Sequence, residues 1–257
     1  ALPICTYRQQ IIYVWILGLN SWLAGLLQAN EAWTRVIFRF VPSLCDVAAC
    51  WVLSRLAEKR CPALTPGKGT LLALVLAFHP VLILNSACWG QMDSVLCLCL
   101  LLVAVWALEG QWTLALPCYM LAVLIKPQAL MLGFLGLVAM ILTWILDKEN
   151  RKKMGIGLGA AAVVALAIIV PFGLRQSFGW LIQQYTETLA SYPYATVNTA
   201  NFYYLLGGNW NAIGNTAPVA AAILLMVGCL GYAAVWGLRV RKTARKTGIE
   251  LGLTGLF

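Results

Sequence analysis

Eight apolar stretches follow one another along the chain, most of them parted by only a few polar residues. They run Ile11–Gln28, Val36–Leu56, Thr70–Trp89, Ser94–Leu108, Trp112–Ile125, Pro127–Leu146, Met154–Leu174 and Ala217–Leu238. A bilayer core takes ~20 helical residues, and only helices or closed barrels cross it without stranding backbone polar groups. With 61% hydrophobic and 11% charged residues, the chain lacks the polar surface that a water-soluble globule needs. The expectation is an all-α, polytopic membrane protein of about eight transmembrane helices, forming a single transmembrane domain over residues 1–257. The fourth and fifth stretches are short for full spans. Glu109-Gly110-Gln111 separates them, and the Lys126-Pro127 step ends the fifth, because proline disfavours helical geometry in the residue before it.

The net charge of +9 finds its explanation in topology. Lys and Arg concentrate on the cytoplasmic side of membrane proteins. Alternating the spans with Ala1 inside gathers Arg8, then Arg55, Lys59, Arg60 and Lys68, then Lys148, Arg151, Lys152 and Lys153, then Arg239, Arg241, Lys242, Arg245 and Lys246 on one side. Arg35, Arg39, Lys126 and Arg175 remain for the other, a 14-to-4 division. Both termini are therefore expected in the cytoplasm, with the chain in a cell membrane. Nucleic acid is excluded as a partner, since no basic face carries interleaved aromatics.

The nine cysteines lie mostly in or beside apolar runs, and only Cys5 and Cys61 stand well outside them. An odd total of mostly buried thiols argues against a complete disulfide framework, and no Cys/His spacing matches a zinc site. No metal ligand set and no cofactor are expected. The chain opens at Ala1 and ends at Phe257 as Leu251–Phe257 begins another apolar segment, which reads as a piece of a longer protein.

Four segments meet on the outer side in this orientation: Gln28–Arg35, Trp89–Ser94, the Lys126-Pro127 turn and the loop Arg175–Thr216. Long loops among short connections are more often functional. This one carries Tyr192, Asn198, Asn201, Asn209 and Trp210, amides and aromatics that suit sugar hydroxyls and ring faces, or else an interfacial aromatic belt. Asp93, after Trp89-Gly90-Gln91-Met92, is placed to orient a hydroxyl, act as a base or hold a cation; its structural alternative is to cap the fourth helix. Lys126 sits between two apolar helices, where an ammonium is costly unless it snorkels to headgroups or meets an anion such as a lipid-linked phosphate. Arg35, Arg39, Ser43, Asp46 and Cys50 share one face of the second span, expected to look into the bundle. Arg39 and Asp46 lie two turns apart, too far for direct contact. His79-Pro80 falls mid-span in the third segment, with His79 expected as a packing residue beside a kink. No P-loop, dinucleotide fingerprint, HExxH or nucleophile elbow occurs, nor the inverted repeats of transporters.

Three stretches carry a resemblance. Asn85-Ser86-Ala87-Cys88-Trp89-Gly90-Gln91-Met92-Asp93-Ser94 resembles the WGQxD signature of polytopic GT-C glycosyltransferases, and Leu121–Gln128 resembles the KPQ step that follows one hairpin later. Ser191–Asn198, continuing through Asn201 to Leu206-Gly207-Gly208-Asn209-Trp210, resembles the long outer loop of bacterial mannosyltransferase-like members, which are similar to the second-mannose transferase of GPI-anchor assembly. The resemblance covers roughly Val36 to Trp210 and implies transfer of mannose or a related sugar from a polyprenyl-phosphate donor to a glycan or glycolipid acceptor. It implies a bacterial inner membrane as the setting and Asp93 as the catalytic carboxylate, with Gln91, Lys126, Gln128, Arg175, Tyr192, Asn198, Asn201, Asn209 and Trp210 binding substrate; Arg39, Asp46 and His79 are read from their own positions as structural polar residues. The wider superfamily keeps an acid in its first outer loop, whereas Glu31 is the only carboxylate of that connection here and its surroundings do not match. The family's usual start and a later His-Glu-Arg-Tyr motif are also missing from the chain. A transporter or flippase for a lipid-linked or amphiphilic substrate, using Arg39, Asp46, His79 and Lys126 along its path, is the alternative from another class; a non-catalytic membrane subunit is a third.

Overall fold

The computed structural model describes residues 11–61 and 64–174, and beyond them 179, 182–183, 186, 194, 196–197, 202–212, 220, 223–224, 226–228, 230–232 and 234–235. The described residues are helical, with two isolated bridges and no strand. They fall into two compact units, one of residues 10–129 and 148–169, the other of residues 1–9, 130–147 and 170–257.

In the first unit, α1 covers Ile11–Leu26 and α2 covers Glu31–Arg60. The start of α2 is fixed by Asn30, whose side chain accepts from the Trp33 N–H at 3.0 Å. Glu31 in its first turn and Lys59 and Arg60 in its last both complement the helix dipole. Pro42, Asp46, Cys50 and Ser54 are the buried residues of α2, four apart and on one stripe. The same helix exposes Trp33, Val36, Phe40, Leu44, Val47 and Trp51. Small and polar side chains inward with large apolar ones outward is the pattern of a helix solvated by lipid.

The third segment is broken. Helix α3, Pro66–Ala77, stops before His79, the single turn α4, Pro80–Leu82, restarts it, and a π-helical stretch, Ile83–Trp89, completes it. Pro80 has no N–H for the helix to use and forces His79 into an extended conformation, so the two halves meet at a 45° bend. Helix α5 covers Asp93–Leu108 and α6 covers Trp112–Ile125, joined at Gly110, whose φ of 69° closes the turn. A 3-10 turn, Pro127–Ala129, follows α6, and α8 covers Lys148–Gly173. Helix α2 packs on α1, α3, the π segment and α5, while α5 packs on α6. Leu96, Ala122, Ile125 and Ala129 form the apolar core between α5, α6 and the 3-10 turn.

The second unit holds α7, Leu130–Leu146, where Thr143 Oγ1 donates back to the Ala139 carbonyl at 2.8 Å, and the described parts of the long loop. In that loop Tyr194 bridges Ala212 and Thr196 bridges Asn209, next to a short helical turn, Phe202–Leu205, called α9.

Glu31–Arg60, Pro127–Ile145 and Lys148–Gly173 are long and apolar enough to cross a membrane, and Gly67–Ala77 with Pro80–Trp89 adds a fourth if the bent pair counts as one span. Large apolar side chains cover the outer faces of these helices, as a membrane protein requires. Eight full spans are more than the described residues provide. At 1.5 Å per residue, the 16 residues of α5 reach ~24 Å and the 14 of α6 reach ~21 Å, short of a core ~30 Å thick. Half of the eighth stretch, Ala217–Leu238, lies outside the described residues.

Candidate functional site

The first unit brings two motif turns together. At the end of the π segment Gly90 adopts the left-handed conformation, φ 75° and ψ 31°, and its N–H returns to the Asn85 carbonyl. The Gln91 N–H reaches the same carbonyl at 3.0 Å, so one acceptor closes the π-helix and starts the turn. Beneath it Ser86 and Ser94 join hydroxyls at 2.6 Å, both buried, which pins the π segment to the first turn of α5. Asp93 is the first residue of that helix. The N-cap is Met92, with no side-chain cap bond, so Asp93 is not the cap that the sequence offers as its structural role.

The carboxylate points instead to the other turn. Lys126 caps α6 in an extended conformation, φ −154° and ψ 127°, as a residue before proline must. Its N–H bonds the Ala122 carbonyl and its own carbonyl takes the Ala129 N–H, each at 3.0 Å. Tyr119 donates its hydroxyl to the Ala129 carbonyl at 3.1 Å, clamping the 3-10 turn against α6. Held at both ends, the turn presents Lys126 Nζ to Asp93 Oδ1 in an ion pair. Lys126 therefore finds an anion within the protein. The side chains keep 26% and 39% of their exposure, so the pair is shielded yet reachable.

Around it, Gln91 is half-buried and Gln128 exposed. Arg39 lies across Gly90: a β-carbon built there would stand 3.3 Å from its Cγ and 3.9 Å from its Nε. Asp46 is buried, 9% exposed, and makes no ion pair with Arg39 among the described residues. Asp46, Asp93 and Lys126 all lie within electrostatic reach of Cys97 on α5, which locates the three around one helix. Arg35 leaves the expected stripe and pairs with Glu31 at the exposed start of α2. His79 is exposed, not packed; its Nδ1 accepts from the Val81 N–H at 3.3 Å and caps the restarted helix. Between α1 and α2 lies a cavity of about 680 Å³, lined by residues including Leu19, Trp22, Leu27, Trp33, Val36 and Phe40 and not by Arg39.

In the second unit, Asn209 bridges Thr196, the Trp210 N–H bonds the Thr196 carbonyl at 3.0 Å, and the Trp210 ring meets Tyr194 edge-on at 5.2 Å. Trp210 itself takes a left-handed conformation, φ 62°. Arg175, Tyr192, Asn198 and Asn201 lie outside the described residues.

Sequence reasoning missed the Arg39–Gly90 contact, the Ser86–Ser94 bond and the Tyr119 clamp. Only the glycine within Trp89-Gly90-Gln91 gave a signal, since a glycine at the end of an apolar run commonly marks a left-handed terminus. Among the described residues no three His, Cys, Asp or Glu side chains gather as a metal site would need. Comparison of the chain with protein-family models, curated proteins and solved structures finds no match.

Proposed function

We propose that the chain is part of a membrane glycosyltransferase that moves mannose or a related sugar from a polyprenyl-phosphate donor to a glycan or glycolipid acceptor. The reaction takes place at the extracytoplasmic face, with both termini in the cytoplasm. The observation that carries this reading is the Asp93–Lys126 ion pair, built from two turns whose sequences resemble the WGQxD and KPQ motifs. In the transfer, the acceptor oxygen attacks the anomeric carbon, the bond from that carbon to the phosphate oxygen breaks, and its electron pair stays on the phosphate. Lys126 meets that growing negative charge, and a fixed cation in a shielded place stabilises it without reorganisation. Asp93 holds the ammonium in position and takes the acceptor's proton. The apolar cavity between α1 and α2 gives room for a prenyl chain beside the same helix that carries Arg39.

Sugar transfer from a polyprenyl-phosphate mannose by the membrane-embedded protein tests the assignment. Lys126→Ala lowers turnover about 10²–10³-fold, the loss typical of removing one such electrostatic group. Lys126→Arg recovers part of it, and membrane insertion of both variants stays at the level of the parent. Transfer left unchanged by Lys126→Ala overturns the assignment.

A further inference from the structure

Arg39 enters the site from a different helix than either motif. It lies 8 residues after Glu31 on α2, ~12 Å along the helix axis, and its side chain passes the Gly90 turn 3.3 Å from where a β-carbon on Gly90 would stand. It is partly buried, and among the described residues it makes neither a hydrogen bond nor an ion pair. Neither carboxylate of the region answers it. Asp46 lies two turns further along α2, and Asp93 is already taken by Lys126. A guanidinium inside a lipid-solvated helix bundle is expensive without an anion, and its five donors fit the oxygens of a phosphate better than a single carbonyl.

Gly90 provides the second observation. Its φ of 75° already favours glycine, and any β-carbon there would crowd the Arg39 stem at 3.3 Å. The turn that sets up Asp93 is thus also the surface over which Arg39 passes. Arg39 at Gly90 and Lys126 at Asp93 then bring two cations to one short turn, and of the two only Lys126 has a carboxylate partner among the described residues.

We infer that Arg39 is a second phosphate-binding residue, taking oxygens of a lipid-borne phosphate that Lys126 also contacts. The inference deepens the glycosyl-transfer reading and rests on it only for the identity of that lipid. The same chemistry is offered by a polyprenyl phosphate and by an ordinary phospholipid headgroup.

The test is native mass spectrometry of the protein in detergent micelles with a polyprenyl phosphate, phosphatidic acid and uncharged polyprenol as separate probes. Arg39→Gln weakens retention of polyprenyl phosphate about 10- to 100-fold, the loss expected for hydrogen bonds to a charged group, and leaves polyprenol unaffected. Arg39→Lys falls between, because it keeps the charge and loses the planar fork. Gly90→Ala weakens phosphate retention with Arg39 still in the sequence, since the added methyl displaces its stem. A preference for polyprenyl phosphate over phosphatidic acid assigns the phosphate to the donor. Equal, Arg39-dependent retention of both assigns it to headgroups; Arg39 then remains a phosphate ligand while the transferase reading loses its donor. Unchanged retention in Arg39→Gln, or an equal loss for uncharged polyprenol, overturns the inference.

Discussion

Replacing Asp93 and Lys126 singly and together measures what their ion pair contributes to the fold, apart from any sugar chemistry. Exposed pairs couple by about 0.2–1 kcal/mol. Removing one partner from a fully buried pair costs about 3–5 kcal/mol. With side chains 39% and 26% exposed, this pair belongs between those limits, and a coupling of about 1–2 kcal/mol follows. The two single substitutions are not equivalent. Lys126→Met leaves one carboxylate without its cation, whereas Asp93→Asn leaves Lys126 without its carboxylate at a turn where Arg39, at Gly90, already has none. Asp93→Asn should therefore be the more damaging of the two, and the double variant less damaging than the sum. Thermal unfolding followed by far-ultraviolet circular dichroism reads the cycle. At about 2–4 °C per kcal/mol for a chain of this length, the coupling is worth about 2–8 °C in Tm. Effects that add to within about 0.5 kcal/mol would refute the pair as a structural element. A larger loss from Lys126→Met than from Asp93→Asn would refute Arg39 as an unanswered cation at this turn.

Two further outcomes follow from the packing of the first unit. Ser86→Ala or Ser94→Ala alone strands a buried hydroxyl and should cost about 1–3 kcal/mol, while the double substitution should cost clearly less than the two together; denaturation of the three variants decides it. In α8, a β-carbon at Gly157 would collide with the Trp112 carbonyl, so Gly157→Ala should destabilise by about 1–3 kcal/mol. Gly155→Ala and Gly159→Ala, with open space at both positions, should be neutral or stabilising by up to about 1 kcal/mol, and equal behaviour of the three in a melting assay would sink the argument.

How much of this was legible in the sequence depends on what punctuates each element. The ends of α5 and α6 read almost to the residue, because Glu109-Gly110-Gln111 and Lys126-Pro127 leave the backbone few options. Hairpin arithmetic returned Asp93 and Lys126 to one level, and the ion pair joins them there. Helix α2 begins five residues before the apolar stretch does and ends four after it. Hydropathy marks where a helix meets lipid, whereas Asn30 and the charged ends mark where the helix itself stops. The third segment reads as one run of apolar residues with a kink at His79-Pro80, and Pro80 divides it there at a 45° bend. The exposure of His79 was hidden all the same: periodicity assigns faces only within an unbroken helix. Contacts between helices, such as Arg39 over Gly90, depend on crossing geometry that no local pattern encodes.

The π segment has a consequence for the phase of the chain. A π turn holds one residue more than the α-helix it interrupts, and each α-helical residue advances the direction of its side chain by ~100°. Between Ile83 and Trp89 the chain therefore carries a spare residue ahead of Asp93. Deleting any one of the seven lets the stretch relax to ordinary α-helix with every backbone bond remade. Everything downstream would keep close to its present heading, because the wide turn had already absorbed the extra residue. The spare residue is slack taken up by the wide turn: wound as ordinary α-helix, the same seven residues would swing the next helix round by a further ~100°.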